Sequence, residues 1–97
     1  MLRLTILSRD ADVAILSVDG WLMADSVELL EQECIKLLAT TRRLTLDLQG
    51  LRSIDREGVD LLRRLSARPV ELRGGCAYVR VLLQAHGLRT ESQTDEE

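Results

Sequence analysis

The sequence predicts an α/β fold in which a mixed β-sheet of about four strands is covered by helices. Three observations support this class: two apolar segments open the chain, strand-like and helix-like segments then alternate, and the apolar residues are aliphatic. The 97 residues include twenty leucines but only two aromatic residues, Trp21 and Tyr78. The predicted order of elements is β-β-α-β-α-β-α, with right-handed crossovers between parallel strands.

Two short apolar segments, residues 3–8 and 12–19, are the first predicted strands. Arg9-Asp10-Ala11 separates them and is a polar connection of hairpin length. We therefore expect an antiparallel pair, in which Gly20 ends the second strand.

The first helix is expected to begin at Asp25, because Asp25 and Glu28 have the spacing of a capping box. One side of the helix is apolar at the 3.6-residue period, and this side comprises Val27, Leu30, Cys34, Leu37, Leu38 and Thr41. Cys34 is therefore predicted to be a core residue.

The third strand and the second helix follow. Residues 44–48 alternate with the period of a strand. A loop through Ser53 should lead into a helix over about residues 56–67, with Asp55 as its N-cap and Pro69 after its end.

A short strand over residues 70–73 and a third helix over residues 76–86 complete the predicted fold, with Gly87 ending the helix. The inward side of this helix is predicted to comprise Tyr78, Val81, Leu82 and Ala85. Residues 1–89 are expected to form a single domain, and residues 90–97 a disordered acidic tail.

Composition argues against several classes of function. Two aromatic residues cannot form a stacking surface for single-stranded nucleic acid. Cys34, Cys76 and His86 are too few for a four-ligand zinc site, so we expect no metal and no cofactor. Because no apolar run reaches the length of a membrane span, we expect no direct membrane insertion. A secreted chain this small would normally be richer in disulfides, so the expected compartment is the cytoplasm.

Charge is distributed unevenly along the chain. Residues 1–60 carry seven basic and eleven acidic side chains, whereas residues 61–90 carry six basic and one acidic. Twelve of the thirteen basic residues are arginine. Arginine either fills the surface role of lysine here or forms a basic patch that meets an acidic partner.

The sequence contains no recognisable catalytic motif, so we do not expect an enzyme. Asp47 and Asp55 could form a carboxylate pair at the end of the third strand. Together with Arg56 at a helix N-terminus, they would suit an anion or nucleotide sensor, which is a third hypothesis for the function.

The outward side of the second helix carries alternating charges. Arg56, Asp60, Arg63 and Arg64 lie three or four residues apart, a spacing that allows a ladder of ion pairs. This side is either a solvated surface or a surface that docks a protein, since arginine offers forked donors to partner carboxylates.

A longer motif surrounds the loop before the second helix. Residues 46–59 read Leu-Asp-Leu-Gln-Gly-Leu-Arg-Ser-Ile-Asp-Arg-Glu-Gly-Val, and further matching segments are residues 18–22, residues 79–83 and Gly87-Leu88. In this order and spacing, over about residues 3–88, the chain resembles the STAS domain, the fold of bacterial anti-sigma factor antagonists. The resemblance implies a STAS-like sheet and a non-catalytic protein-interaction module.

In that family the loop reads Asp, then Ser or Thr, then a small residue, then Gly, and a partner kinase phosphorylates the hydroxyl. Asp55 and Gly58 match this pattern, but Arg56 stands at the acceptor position and Glu57 at the small-residue position. Arginine has no transferable hydroxyl, and its charge is opposite to that of a phosphate. The resemblance therefore predicts a module that lacks the usual phosphorylation switch.

A second departure from the family is Met23, which stands where many relatives carry an aspartate near the loop. Ser53 is the nearest hydroxyl in the motif, but it lies three positions before the acceptor position. Both features favour a module outside the kinase cycle.

The expected function is docking of a regulatory protein partner. The predicted partner-binding residues are Ser53, Asp55, Arg56, Glu57, Gly58, Asp60 and Arg63, with secondary contacts at Trp21, Met23 and Asp25. The partner expected from the resemblance is a kinase-like anti-sigma factor. The alternative is a transporter ATPase, if the chain is a cytoplasmic accessory subunit of an ABC lipid-transport complex, and a homodimer is left open.

Overall fold

The computed structural model describes residues 1–90 and contains a five-stranded mixed sheet and three helices. The elements in chain order are β1 (Leu2–Arg9), β2 (Val13–Leu22), α1 (Ala24–Leu38), β3 (Arg43–Asp47), β4 (Leu51–Ile54), α2 (Arg56–Ser66), β5 (Val70–Arg73) and α3 (Ala77–Ala85). The predicted α/β class with a mixed sheet is confirmed. The predicted disordered tail lies outside the described residues except for Thr90.

The opening hairpin is confirmed, since β1 pairs with β2 in antiparallel register. Its turn is fixed by Asp10, whose Oδ1 accepts hydrogen bonds from the backbone N–H of Asp12 at 2.8 Å and of Val13 at 2.9 Å. These two bonds hold the pKa of the Asp10 carboxyl below its usual value. β2 continues through Gly20 to Leu22, which is further than the sequence predicts.

The sequence misses β4, which we expected to be part of a loop. Beyond the hairpin, β2 pairs in parallel with β3 along its first half and with β4 along its last three residues. Residues 48–50 form a turn between these two strands. Gly50 lies against Asp19 in this turn, and a β-carbon at Gly50 would overlap the Asp19 carboxylate.

The core lies between the helices and one face of the sheet. Alternate residues of the central strands are buried on this face, and Ala14, Leu16 and Val18 of β2 are at most 1% exposed. Leucines dominate the buried cluster, as the composition predicts. Cys34 of α1 is fully buried, which confirms its assignment to the core, and burial raises the pKa of its thiol to about 12.

The predicted N-cap of the first helix is wrong. The helix begins at Ala24, its N-cap is Met23, and Asp25 is an exposed residue of the first turn. Ser26 Oγ accepts a hydrogen bond from the backbone N–H of Met23 at 3.2 Å. Because β2 extends to Leu22, the chain leaves the sheet at Met23 and the helix starts earlier than its side-chain signal suggests.

The predicted inward side of α3 is also wrong. Val79 and Leu83 are fully buried, whereas Tyr78 is 57% and Val81 66% exposed. Ala85 is exposed as well, and only Leu82 of the predicted set packs partly against the core. The predicted end of the helix is confirmed, since Gly87 has a φ of +81° and Leu88 N–H donates to Leu83 O at 2.9 Å.

Within residues 1–90, none of the helices is long and apolar enough to cross a membrane.

Candidate functional site

The candidate site begins at Asp55, which joins the N-termini of two helices. Its Oδ1 accepts a hydrogen bond from Gly58 N–H at 2.9 Å and caps α2, as predicted. Its Oδ2 accepts a second bond from Ala24 N–H in the first turn of α1, also at 2.9 Å. The Asp55 backbone N–H donates to Leu22 O at the end of β2 at 3.2 Å. Asp55 therefore fixes the position of the loop and does not present a free carboxylate.

Gly58 was predicted to contact a partner, but the structure places it inside. A β-carbon at Gly58 would lie 2.7 Å from Ile54 Cγ1 and 2.7 Å from Leu22 O. The first turn of α2 can pack this closely against β2 and β4 only because residue 58 has no side chain. Gly58 thus positions the loop and belongs to the core packing.

Arg56 and Glu57 occupy the first turn of α2, and both are exposed. The predicted ladder of ion pairs does not form, because Arg56 makes no salt bridge within residues 1–90 and Arg64 pairs with Glu31 of α1 at 3.4 Å. Of the ladder, only the contact between Arg63 Nη1 and Asp60 Oδ1 remains, at 3.9 Å. The guanidinium of Arg56 is therefore available to a partner.

Arg63 has a structural contact that the sequence does not reveal. Its Nη2 donates a hydrogen bond to the backbone carbonyl of His86 at 3.1 Å and lies 3.5 Å from His86 Nδ1. His86 is the C-cap of α3, so Arg63 links α2 to the end of α3. Its side chain remains 52% exposed.

A groove of about 390 Å³ lies between the start of α2 and α3. We call it the α2–α3 groove, and its lining residues are Ile54, Asp55, Arg56, Val59, Asp60, Arg63, Tyr78, Leu82 and His86. Other grooves on the surface have similar volumes, so size does not single this one out. It is distinguished because four of the predicted partner-binding residues line it, namely Asp55, Arg56, Asp60 and Arg63.

The sequence does not identify Tyr78, Leu82 and His86 as site residues. They lie more than twenty positions after Arg56, and the third helix was expected to bury Tyr78. The sequence does contain a pattern that could have identified this side of the helix. Val79 and Leu83 are an apolar pair four residues apart, and when they are buried, Tyr78 and Leu82 lie together on the neighbouring side.

The remaining predicted residues do not line the groove. Ser53 is a partly buried residue of β4 and pairs in register with Trp21, which is 53% exposed. Met23 is partly buried and precedes Ala24, whose backbone N–H donates to Asp55; its predicted contact with a partner stays a prediction. Asp25 is exposed in the adjoining turn of α1.

The structure does not bring Asp47 and Asp55 together. Asp47 pairs with Ser17 of β2, and Ile54, the residue before Asp55, pairs with Leu22. Five positions along a strand correspond to roughly 17 Å. Asp47 instead lies 3.5 Å from Arg73 Nη2, so the carboxylate pair suggested for a sensor does not exist. No cluster of three metal-ligating His, Cys, Asp or Glu side chains occurs within residues 1–90.

Comparison with solved structures identifies the fold. The anti-sigma factor antagonist SpoIIAA in its unphosphorylated form matches with a TM-score of 0.74 and 20% identity, over 98% of this chain and 90% of that protein. An anti-sigma factor antagonist from Mycobacterium paratuberculosis matches with a TM-score of 0.70 and 17% identity, over 97% and 87% of the two chains. The chain therefore has a STAS-like fold.

A third similar structure is the Bacillus cell fate determinant SpoIIAA in its phosphorylated form, with a TM-score of 0.66 and 17% identity over 98% of this chain and 93% of that one. At these identities the likeness concerns the fold alone. No protein-family model and no curated protein match the sequence.

Proposed function

We propose that this chain is a non-catalytic protein-interaction module, similar to an anti-sigma factor antagonist, that docks a regulatory protein partner at the α2–α3 groove. The observation that carries the proposal is the position of Arg56. It is exposed at the first residue of α2 and makes no ion pair within residues 1–90. A cation at a helix N-terminus is repelled by the positive end of the helix dipole, so Arg56 does not stabilise α2.

The surroundings of Arg56 support a docking role. Both aromatic residues of the chain are more than half exposed, Trp21 beside Ser53 of β4 and Tyr78 in the groove. Trp, Tyr and Arg are the residue types that most often dominate binding at protein interfaces. Of these three residues, Arg56 and Tyr78 line the α2–α3 groove together, at the start of α2 that Asp55 and Gly58 hold in place.

Docking at this surface is proposed to be independent of phosphorylation. Arg56 has no hydroxyl at the position where the STAS family carries its phosphate acceptor. Ser53 belongs to β4, is partly buried and lies three residues earlier in the chain. Two free thiols, Cys34 and Cys76, are compatible with the cytoplasm as the place where the partner is met.

The absence of a switch can be tested with a kinase that phosphorylates an anti-sigma factor antagonist. We expect the wild-type chain to keep its mass after incubation with this kinase and ATP, because position 56 offers no acceptor oxygen. The Arg56→Ser variant restores the hydroxyl and should gain one phosphate, about 80 Da by intact-mass spectrometry. Stoichiometric phosphate on the wild-type chain would contradict the proposal.

A further inference from the structure

A second charged surface lies at the edge of the sheet formed by β5, near the opposite end of α2 from the groove. Arg43, Arg68 and Arg73 line a concavity of about 440 Å³ whose apolar part includes Val13 and Ile15. We call this surface the basic concavity. None of its residues lines the α2–α3 groove.

The arginines of the basic concavity are incompletely paired. Arg43 and Arg68 are exposed and make no salt bridge within residues 1–90. Arg73 contacts Asp47 at 3.5 Å through Nη2, but its buried Nε has no hydrogen-bond partner there. Glu71 is the one acidic residue among those that line the concavity. Three guanidinium groups against the carboxylates of Glu71 and Asp47 leave an excess of positive charge, which favours an acidic occupant.

The strand beside the concavity is open to pairing. In residues 1–90, β5 pairs with β3 and with no other strand, so its outer edge carries backbone groups without a ladder partner. On the other side of β5, Arg89 and Thr90 line a second depression together with Ser66. Cationic side chains therefore border β5 on both faces of the sheet.

We propose that an extended acidic segment of a partner protein adds to the edge of β5 as a further strand. Successive side chains of an added strand point to opposite faces. One set would meet Arg68 and Arg73, and the other set would meet Arg89. The basic concavity is thus a second docking surface, independent of the partner at the α2–α3 groove.

A fluorescent peptide of about eight residues, with alternating glutamate and threonine, is a suitable probe. We expect Arg68→Gln with Arg89→Gln in the full chain to weaken its binding about five- to thirtyfold by fluorescence anisotropy, because these two exposed arginines are among those that the added strand would meet. The matched double variant Arg9→Gln with Arg80→Gln should change binding less than about twofold, because these exposed arginines lie elsewhere. Backbone amide shifts by NMR should be largest at Val70–Arg73.

Four results would overturn the proposal. The first is equal binding of a glutamine-threonine peptide, and the second is an equal loss of binding in the control double variant. The third is tighter binding of inorganic polyphosphate than of the peptide, which would indicate a general anion site. The fourth is binding that appears only after Glu91, Asp95, Glu96 and Glu97 are changed to amides, which would make this chain's own acidic segment the occupant.

Discussion

At the scale of single residues, Asp55 has the largest structural role in the candidate site. One carboxylate oxygen caps α2, and the other binds the first turn of α1, 31 positions earlier in the chain. The start of α2, which carries Arg56, is therefore connected to the first turn of α1 through one side chain.

The first prediction concerns this double cap. Asp55→Ala should lower the free energy of unfolding by about 2 kcal/mol, because it removes an N-cap and leaves two backbone N–H groups without their acceptor. Asp25→Ala is the matched control and should cost less than about 0.5 kcal/mol, since Asp25 is not the cap of α1. Urea denaturation measures both, and a larger effect at Asp25 would contradict the assignment.

The two aspartates also show what residue patterns could predict. Asp55 directly precedes a helix, and the sequence correctly predicts it as the N-cap of α2. Asp25 has an equally good capping-box spacing, but the pairing of Leu22 with Ile54 extends β2 and moves the start of α1. The first residue of α1 is therefore determined by contacts between residues that are distant in the sequence.

At the scale of elements, α3 determines which side chains complete the groove. Its nine residues bury Val79 and Leu83 and expose Tyr78 and Val81. In a helix of about two turns, several different sets of apolar residues fit the helical period, so periodicity alone could not identify the buried side.

The second prediction compares two valines of α3. Val79→Ala should lower the free energy of unfolding by about 1.5 kcal/mol, since it leaves a cavity in the core. Val81→Ala should leave stability unchanged or raise it by up to about 0.5 kcal/mol, because alanine is the better helix former at an exposed position. Thermal and urea unfolding test the pair. The reverse order would show that the helix faces the other way.

The missed strand β4 has a related cause. Leu51-Arg52-Ser53-Ile54 is four residues long, and its pairing partner lies about thirty positions earlier in β2. Without knowledge of the strand with which it pairs, a segment this short is predicted to be a loop. As a result, Ser53 and Ile54 belong to the sheet. Among predicted contact residues 53–58, only Arg56 and Glu57 in the first turn of α2 are exposed.

At the scale of the whole molecule, the fold gathers arginines onto two separate surfaces. Arg56 and Arg63 line the α2–α3 groove, and Arg43, Arg68 and Arg73 line the basic concavity. The excess of basic residues over residues 61–90 made such a patch one of two alternatives, but did not indicate its place. The motif around Asp55 located one side of the groove, whereas the side formed by α3 depends on tertiary packing.

The central claim is that Arg56 docks the partner, and the affinity of that partner tests it most directly. The partner is the protein that co-purifies with the full chain from cells that express it naturally, and its identity separates a kinase-like anti-sigma factor from a transporter ATPase. Arg63→Glu is avoided because it would also remove the contact with His86.

Calorimetric titration of this purified partner should show binding to Arg56→Glu that is weaker by about tenfold or more, a loss of at least about 1.4 kcal/mol. Arg80→Glu introduces the same charge change on the exposed side of α3 away from the groove and should stay within about twofold of wild type. Wild-type affinity in the Arg56→Glu variant would contradict the account.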